Sequence, residues 1–379
     1  MTSKKELLIK SVYKTGFAVA FGLSMGVCGV TGASGGMIVA LISAAFLNIT
    51  PDTLVSPMLT EFLIVTSAAS MAGPGAAAAV AVPGAILMFF LSRSRALCAA
   101  MRDSGGTGII SLFTALAVTI LVTNTYFGIG ASGSTVIEML RTYRSLGFHP
   151  NWRGILYGTI VMVVMITFPR KFKKAKNIMN MAFAALLITF VLNLCLTPGS
   201  MPVPFAQVGD RAGTLFDLTL EISGRNILLI IVSALAFGIT GAVCAAGESS
   251  LPGRAGASLS AAASSVFGCP VTAGGNSAPR DYISGIIAAA ASGLIIIITN
   301  GFSRLPAASC AVVLIVAGWQ SLDKPSLRRA FGGAGAIVSS LIILASLATI
   351  PAFGVLAAFA FAVFKTRLKG EGSSAPPEA

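Results

Sequence analysis

Two short segments carry the residues that could do chemistry in an otherwise apolar chain. Each places a proline directly after a small residue, as Ser56-Pro57 and Cys269-Pro270, and a hydroxyl residue follows within three positions. Proline is tolerated in the first turn of a helix, because the N–H that it lacks would have no partner there. The pattern therefore predicts two short helices that begin abruptly, over residues 57–69 and 270–280.

A helix that begins inside a lipid bilayer leaves N–H groups and the positive end of its dipole in a medium without water. This arrangement is unfavourable unless an anion or another acceptor occupies the helix start. Two such starts are the ingredients of a buried anion-binding site. We expect the site to need no metal or cofactor. Coupling of anion transport to an ion, H⁺ or Na⁺, is compatible with such a site.

Glu61 is the acidic residue that stands deepest in an apolar run, one turn into the first short helix. A charge at the centre of a bilayer costs at least roughly 2.5–3.5 kcal/mol, so its position needs a reason. One interpretation is a carrier of a proton or a cation beside the anion site. The other is a helix-start acid that reaches water or a neighbouring arginine.

The composition makes the bilayer the expected solvent for this chain. Of 379 residues, 55% are hydrophobic and 10% charged, mean hydropathy is +0.88, and soluble domains carry about 25% charged residues. The net charge of +13 comes from short basic clusters between apolar runs, which argues against a nucleic-acid partner. The six cysteines form no Cys-x-x-Cys pair and are expected to be small buried hydrophobes.

The expected fold is an all-α integral membrane protein. A spanning helix needs roughly 20 apolar residues, and we predict helices near 11–31, 33–48, 57–69, 72–92, 106–128, 153–168, 177–197, 226–246, 254–266, 270–280, 282–300, 304–320, 332–348 and 350–365. These make about fourteen transmembrane segments. Helices 57–69 and 270–280 are too short to cross alone, so each is predicted to be preceded by a short extended strand, at 48–55 and 263–269.

The segments divide into two halves around a proline-containing linker. We predict a first repeat at 1–197, an extracytoplasmic linker at 198–225, a second repeat at 226–369 and a disordered tail at 370–379, without a soluble domain. Each half has about seven segments. Because seven is an odd number, the second half starts on the opposite side of the membrane from the first, and the two halves are inverted relative to each other, as in many transporters. Most lysines and arginines fall on the N-terminal side of the membrane. Both termini are therefore predicted to be cytoplasmic, in a bacterial-type inner membrane.

The second half resembles the membrane domain of the sulfate-permease (SulP) family. The similar stretches are 251–254, 264–272, 302–308 and 314–318, and Phe267-Gly268-Cys269-Pro270-Val271-Thr272 is the most specific. The first half is similar more weakly, at Val55-Ser56-Pro57. The chain is also similar to benzoate–proton symporters, at Cys269 and 278–282, and xanthine/uracil permeases share the same fold.

The resemblance implies a core domain that moves against a gate domain, with substrate held between the starts of the third and tenth segments. The implied substrate-binding residues are Ser56, Pro57, Met58 and Leu59 at the first start, and Pro270, Val271, Thr272, Ala273 and Gly274 at the second. Phe17, Phe21 and Ser24 of the first segment would close the pocket. Thr272 and Asn276 either contact substrate or satisfy local backbone groups. The family also suggests a homodimer.

The chain departs from the family in two respects. Relatives normally continue into a cytoplasmic STAS domain, which is not expected here. They often carry a carboxylate midway along the eighth segment, where this chain has Phe237–Gly241, including Thr240; Glu248 falls in the following turn. The candidates for ion coupling are therefore Glu61, Thr240 and Glu248.

The function we expect is secondary transport of a small anion, inorganic or a carboxylate or sulfonate, by an elevator-type motion. An aromatic-acid or nucleobase proton symporter is the first alternative, and an anion channel is the second. An enzyme is not expected, because the sequence lacks H-E-x-x-H and G-x-S-x-G. The phosphate-binding motif of a primary pump is absent as well.

Overall fold

The computed structural model is built almost entirely from helices. It describes residues 4–29, 33–46, 56–128, 141–142, 144–145, 147, 149–171, 179–196, 220–221, 223–245, 251–272, 282–299, 305–332 and 335–372. The first half contains the helices α1 Lys4–Cys28, α2 Ala33–Phe46, α3 Leu59–Ala72, α4 Gly75–Leu91, α5 Arg95–Ser104, α6 Gly106–Phe127, α7 Trp152–Lys171 and α8 Met179–Leu196. The second half contains α9 Gly224–Ala245, α10 Leu251–Val266, α11 Tyr282–Ile298, α12 Ala307–Gln320, α13 Lys324–Ala330, α14 Gly335–Ala348 and α15 Pro351–Gly372.

The outer surface of the helix bundle is apolar, as lipid requires. Leu8, Ile86, Trp152, Ile297 and Ile337 are each more than half exposed. By length and composition, α6 and α9 could each cross a bilayer, and the bent pairs α4–α5 and α13–α14 raise this number to four within the described ranges. Helices α3, α7, α8, α11 and α12 are apolar but shorter. The protein is thus a multi-pass membrane protein, and the count of fourteen spans stays a prediction.

Two short strands from opposite halves of the chain meet inside the bundle. Strand β1 (Ser56–Pro57) pairs antiparallel with β2 (Val271–Thr272), with Ser56 opposite Thr272 and Pro57 opposite Val271. The Met58 N–H donates to the Pro270 carbonyl at 3.0 Å. This pairing holds the start of α3 against the segment that follows α10.

Both predicted helix starts are wrong. Pro57 lies in β1, and α3 begins at Leu59; Pro270 lies outside a helix and directly precedes β2. The fixed φ of proline suits extended chain as well as a first helical turn, and here the backbone pairing favours extended chain. The rest of the predicted helix 270–280 lies outside the described residues.

The extended chain predicted at 263–269 is also largely wrong. Helix α10 continues to Val266, and the chain then turns through Gly268, whose φ of 77° glycine adopts without strain. The turn is tied back to the helix, because the Cys269 N–H donates to the Ser264 carbonyl at 3.1 Å and the Val271 N–H donates to Ser264 Oγ at 3.2 Å. The extended chain predicted at 48–55 lies wholly outside the described residues.

Close packing of α9 along α4 fixes the position of the polar residues on α9. A Cβ added to Gly84 would lie 2.8 Å from the Phe237 ring, and one added to Gly238 would lie 2.5 Å from Leu87 Cβ. Small residues allow this approach, as is usual between helices in membranes. Helix α9 also packs against α3, which brings Thr240 to Glu61.

Two short helices, α5 and α13, were not expected from the sequence. Ser94 caps α5 by accepting from the Leu97 N–H at 3.3 Å, and Asp323 caps α13 by accepting from the Ser326 N–H at 3.2 Å. Helix α13 packs closely on α6: a Cβ added to Gly108 would lie 2.3 Å from the Leu327 nitrogen. Both helices contain enough polar residues to serve as connections between membrane-spanning helices.

The ends of the described chain differ from the prediction. Helix α1 begins at Lys4, not near residue 11, and α15 continues to Gly372, so residues 370–372 of the predicted tail are helical. Residues 373–379, and most of the predicted linker 198–225, lie outside the described residues. The division into two inverted repeats stays a prediction.

Candidate functional site

The first turn of α3 has N–H groups without a side-chain cap. Met58 occupies the N-cap position and makes no side-chain cap hydrogen bond. Its own N–H is used by Pro270, and the first hydrogen bond within the helix is from the Phe62 N–H to the Met58 carbonyl at 2.8 Å. The N–H groups of Leu59 and Thr60 therefore have no acceptor among the described residues, and they lie at the positive end of the helix dipole.

Glu61 is the acidic residue of this first turn. The residue is 2% exposed, and Oε1 of its carboxyl group has no hydrogen-bond partner among the described residues. The Thr240 hydroxyl from α9 is within hydrogen-bonding reach of the same carboxyl group. That hydroxyl also donates to the Ala236 carbonyl at 3.0 Å, which is the usual backbone bond of a threonine in a helix.

A cavity of about 250 Å³ lies beside Glu61, between α3, α6, α9 and the turn that joins α12 to α13. Its lining is rich in hydroxyl groups and contains two carboxylates but no lysine, arginine or histidine among the described residues. The residues that line it are Met58, Leu59, Thr60, Glu61, Thr107, Ile110, Ser111, Thr114, Thr240, Val243, Cys244, Ser321 and Asp323.

Hydrogen bonds organise the hydroxyl groups on the α6 side of the cavity. Thr107 Oγ1 donates to Asp323 Oδ2 at 2.8 Å, and the Asp323 N–H donates to Ser111 Oγ at 3.1 Å. Deeper in the bundle, the hydroxyls of Thr114 and Thr60 are 2.8 Å apart. Two groups of polar contacts therefore lie between the α12–α13 turn and the first turn of α3, and no hydrogen bond among the described residues joins Ser111 to Thr114.

Asp323 is ionised, and it lies at the less buried end of this cavity. Partial burial raises its pKa, but hydrogen bonds from Ser326 and Thr107, with the nearby Arg329 charge, outweigh burial and hold the pKa below its usual value. Charged groups surround this end of the bundle. Arg329 pairs with Asp103 at 3.1 Å, and Lys365 Nζ donates to the Ser104 carbonyl at 3.0 Å.

The structure brings together part of the predicted site. Met58, Leu59, Glu61 and Thr240 line one cavity. The backbones of Ser56, Pro57, Pro270, Val271 and Thr272 meet in and beside the strand pair. Ala273, Gly274, Asn276 and Glu248 lie outside the described residues.

The residues predicted to close the pocket from α1 lie in the packed interior. Phe17 and Phe21 stack with their ring centroids 4.6 Å apart, and Ser24 is fully buried. None of the three lines the cavity described here. Their role in binding stays a prediction.

Sequence reasoning missed the hydroxyl groups of α6 and the carboxylate of Asp323. Thr107, Ser111 and Thr114 are spaced by four and three positions in an apolar helix, which places them on one face. That spacing is the signal that could have identified a polar face. Asp323 gave no signal, because its partners come from a distant part of the chain.

Comparisons with known proteins identify the fold. No protein-family model matches the chain, and no curated protein matches its sequence. In structure it is similar to the transmembrane domain of a cyanobacterial bicarbonate transporter, BicA, with a TM-score of 0.65, 17% identity and coverage of 95% of this chain and 98% of that chain.

The chain is also similar to the anion transporter murine Slc26a9 in its inward-facing state, with a TM-score of 0.60, 13% identity and coverage of 96% and 68%. A second SLC26A9 structure gives a TM-score of 0.60, 12% identity and coverage of 97% and 66%. The chain thus spans about two thirds of the length of the SLC26A9 chains. The expected resemblance to the sulfate-permease membrane domain is confirmed at the level of the fold.

Proposed function

We propose that the protein is a secondary transporter of a small anion. The observation that carries this proposal is the uncapped start of α3 inside an apolar bundle, held beside a segment from the other half of the chain by the β1–β2 pair. N–H groups at a helix start bind anions directly, and the helix dipole favours negative charge there. The transport function of the two structural neighbours supports the same class of activity.

The anion is proposed to bind at the N–H groups of Leu59 and Thr60. Residues 273, 274 and 276, which directly follow β2, are proposed to complete the site from the other half. A charge-assisted hydrogen bond from a backbone N–H is stronger than a neutral one. The helix start therefore provides binding energy without a lysine or an arginine in the lining.

Proton coupling through Glu61 follows from its place in the same helix turn. When Glu61 is ionised, its carboxylate supplies the negative charge that the helix start favours, and it repels a second anion. When Glu61 is protonated, the helix start is free to bind the substrate anion. The proton and the anion would then bind together, which is symport.

Thr240 is proposed to stabilise the protonated form. Its hydroxyl hydrogen is used by the Ala236 carbonyl, whereas the oxygen keeps the capacity to accept. A neutral Glu61 can donate to that oxygen, and an ionised Glu61 cannot. As long as the Thr240 hydroxyl donates to the Ala236 carbonyl, the pair favours the neutral acid.

The transport motion is proposed to carry α3 and α9 past α6. Helices α3, α4, α9 and α10 pack together on one side of the cavity, and α6, α12 and α13 pack together on the other. An elevator-type displacement of the first group would carry the anion and the proton across the membrane. We propose that the basic end near Asp323 is cytoplasmic, as the positive-inside rule predicts, and that the protein is a homodimer in a bacterial-type inner membrane.

Counterflow into liposomes tests the proposed function. Vesicles that contain purified protein are loaded with unlabelled sulfate, bicarbonate, a dicarboxylate, a sulfonate, benzoate, uracil or xanthine, and uptake of the same labelled compound is measured. A carrier accelerates labelled uptake when unlabelled substrate is trapped inside, and we expect this for at least one small anion. Uptake of an anion that trapped substrate does not accelerate would indicate a channel, and uptake of a nucleobase alone would replace the anion proposal.

A further inference from the structure

The geometry points to a cation-access route that leads from the α12–α13 turn to Glu61. The route is the hydroxyl-lined cavity beside Glu61, here called the vestibule, with Asp323 at its mouth and Glu61 at its inner end. Its proposed cargo is the proton. This inference rests on the proposed function, which it deepens by stating how the coupling proton reaches its carrier.

Polar groups line the route at both ends and between them. Asp323 and the hydroxyls of Thr107 and Ser111 are joined by hydrogen bonds of 2.8 and 3.1 Å at the mouth. The Thr60–Thr114 pair, with its oxygens 2.8 Å apart, lies next to Glu61 at the inner end. The vestibule volume of about 250 Å³ exceeds the roughly 30 Å³ that one water occupies, so several waters can bridge the remaining distance.

The buried end of the route contains an acceptor that no described residue satisfies. Glu61 is 2% exposed, yet its Oε1 has no partner among the described residues. A buried polar atom of this kind is unfavourable unless a proton, an ion or a water completes it. Glu61 also lines the polar vestibule, so a proton delivered along the vestibule is the simplest partner.

The charges in the lining of the vestibule favour a cation over an anion, while Arg102 of α5 donates to the Val243 carbonyl at 3.5 Å from outside the lining. Among the described residues, its lining contains the carboxyl groups of Glu61 and Asp323 and no basic side chain. Cys244, also in the lining, is the titratable group of α9 that faces Glu61. Arg329 of α13 lies close to Asp323 but outside the lining, where Asp103 pairs with it. A proton is attracted into this field, and an anion is repelled from the start of α3 until Glu61 is protonated.

The test compares two matched threonine variants of α6. Thr107→Val removes the hydroxyl that bonds Asp323, whereas Thr123→Val removes a hydroxyl that bonds only the Thr119 carbonyl of its own helix. Uptake driven by an inward proton gradient is measured in liposomes with labelled sulfate and labelled benzoate, beside counterflow of the same compounds at equal pH. A fully loaded carrier exchanges substrate without releasing its proton, so counterflow does not depend on the proton route.

We expect Thr107→Val to slow proton-driven uptake about tenfold, the effect of losing one hydrogen bond from a relay, and to leave counterflow unchanged. Thr123→Val should match the wild type in both assays. Equal proton-driven uptake in all three proteins would overturn the route. Loss of counterflow together with proton-driven uptake in Thr107→Val would show that the vestibule carries the anion, and would overturn it too.

A second measurement does not depend on which anion is carried. A water-soluble carbodiimide, which modifies protonated carboxyl groups, is added to one face of sealed vesicles, and modification of Glu61 is followed by mass spectrometry. We expect modification from the Asp323 face, and a loss of about tenfold when Ser111→Trp fills the vestibule. Modification from the opposite face alone, modification unaffected by Ser111→Trp, or no modification at all would contradict the route. Absence of wild-type counterflow with every compound tested would instead overturn the proposed function.

Discussion

At the scale of the residue, the proposed function makes the charge of Glu61 decide whether an anion can bind. Glu61 lies in the first turn of an uncapped helix, where a carboxylate and a substrate anion would compete for the same N–H groups and the same dipole. The competition requires no contact between Glu61 and the substrate. In this proposal the buried acid is a switch for anion binding and not a structural helix cap.

The contact between Thr60 and Thr114 permits a direct prediction at this scale. Their hydroxyls are 2.8 Å apart and join α3 to α6, so we expect a coupling energy of about 1 kcal/mol between them. A double-mutant cycle with Thr60→Val and Thr114→Val, followed by unfolding in detergent, measures this energy. Strictly additive effects of the two substitutions would show that the hydroxyls do not interact in the resting state.

At the scale of the element, the sequence predicts continuous apolar helices well and their interruptions poorly. Helices α6 and α9 lie within two residues of their predicted ends, because a long apolar run has few alternatives in a bilayer. Pro57 and Pro270 were assigned to helix because proline suits a first helical turn, but pairing between β1 and β2 places them in or beside extended chain. Pairing between distant segments cannot be read from either segment alone.

Some residues of the candidate site could likewise be predicted from the sequence, and others could not. Glu61 stands out as a charge in an apolar run, and Met58 and Leu59 follow from the position of the helix start. Asp323 joins the site only because α13 packs on α6, which places its carboxylate beside Thr107. Such contacts between residues far apart in sequence cannot be predicted without the folded structure.

The close packing between α4 and α9 predicts that adding a single methyl group there lowers the stability of the protein. Gly238→Ala would place a Cβ 2.5 Å from Leu87 Cβ, and overpacking of this kind lowers the free energy of unfolding by about 1–3 kcal/mol. Thermal unfolding in detergent measures the change. Gly224→Ala is the control, because nothing lies within 4 Å of its added Cβ. Equal melting temperatures for the two variants would contradict the close packing.

The cap of α13 predicts a pH-dependent contribution to stability. The folded protein holds the pKa of Asp323 below its usual value, so its ionised form stabilises the fold above the unfolded-state pKa of about 3.9. That contribution is lost as the pH falls through the lower, folded-state pKa. Asp323→Asn keeps an acceptor at the N-cap but removes the charge, so it should lower stability at neutral pH by about 1 kcal/mol through weaker hydrogen bonds from Ser326 and Thr107 and the lost attraction of Arg329.

Melting temperatures of the wild type and Asp323→Asn should converge as the pH falls below about 4. Asp103→Asn is the control, since Asp103 forms an exposed pair with Arg329 and exposed pairs contribute little. A difference between wild type and Asp323→Asn that stays constant down to pH of about 3 would show that the ionised carboxylate does not support the cap.

At the scale of the whole molecule, the outer surface is apolar, and a minority of polar groups is buried within a largely apolar interior. Thr114, Thr240 and Glu61 are buried, whereas Ile297 and Ile337 are more than 70% exposed. An apolar outer surface is the one that lipid stabilises. Thr114, Thr240 and Glu61 line the cavity between the α3–α9 and α6–α12 sides of the bundle, where the proposed relative motion would move bound ions.

The proposed orientation of the bundle predicts which face of the membrane gives access to the vestibule. Cys244 lines the vestibule and is exposed, so a membrane-impermeant thiol reagent should modify it from the cytoplasmic face. Cys195, exposed near the end of α8, should react from the opposite face. Variants that keep one of these cysteines, labelled in vesicles of known orientation, test both expectations. Labelling of both from the same face would contradict the proposed topology.

The central claim is that a proton on Glu61 and an anion at the start of α3 move together. The most direct measurement is accumulation of a labelled anion, chosen by counterflow, in liposomes with an inward proton gradient, for the wild type and Glu61→Gln. Glutamine is a permanent analogue of the neutral acid, so the variant should keep counterflow and lose accumulation, whereas Glu221→Gln, an exposed control, should keep both. Accumulation by Glu61→Gln equal to that of the wild type would contradict the claim.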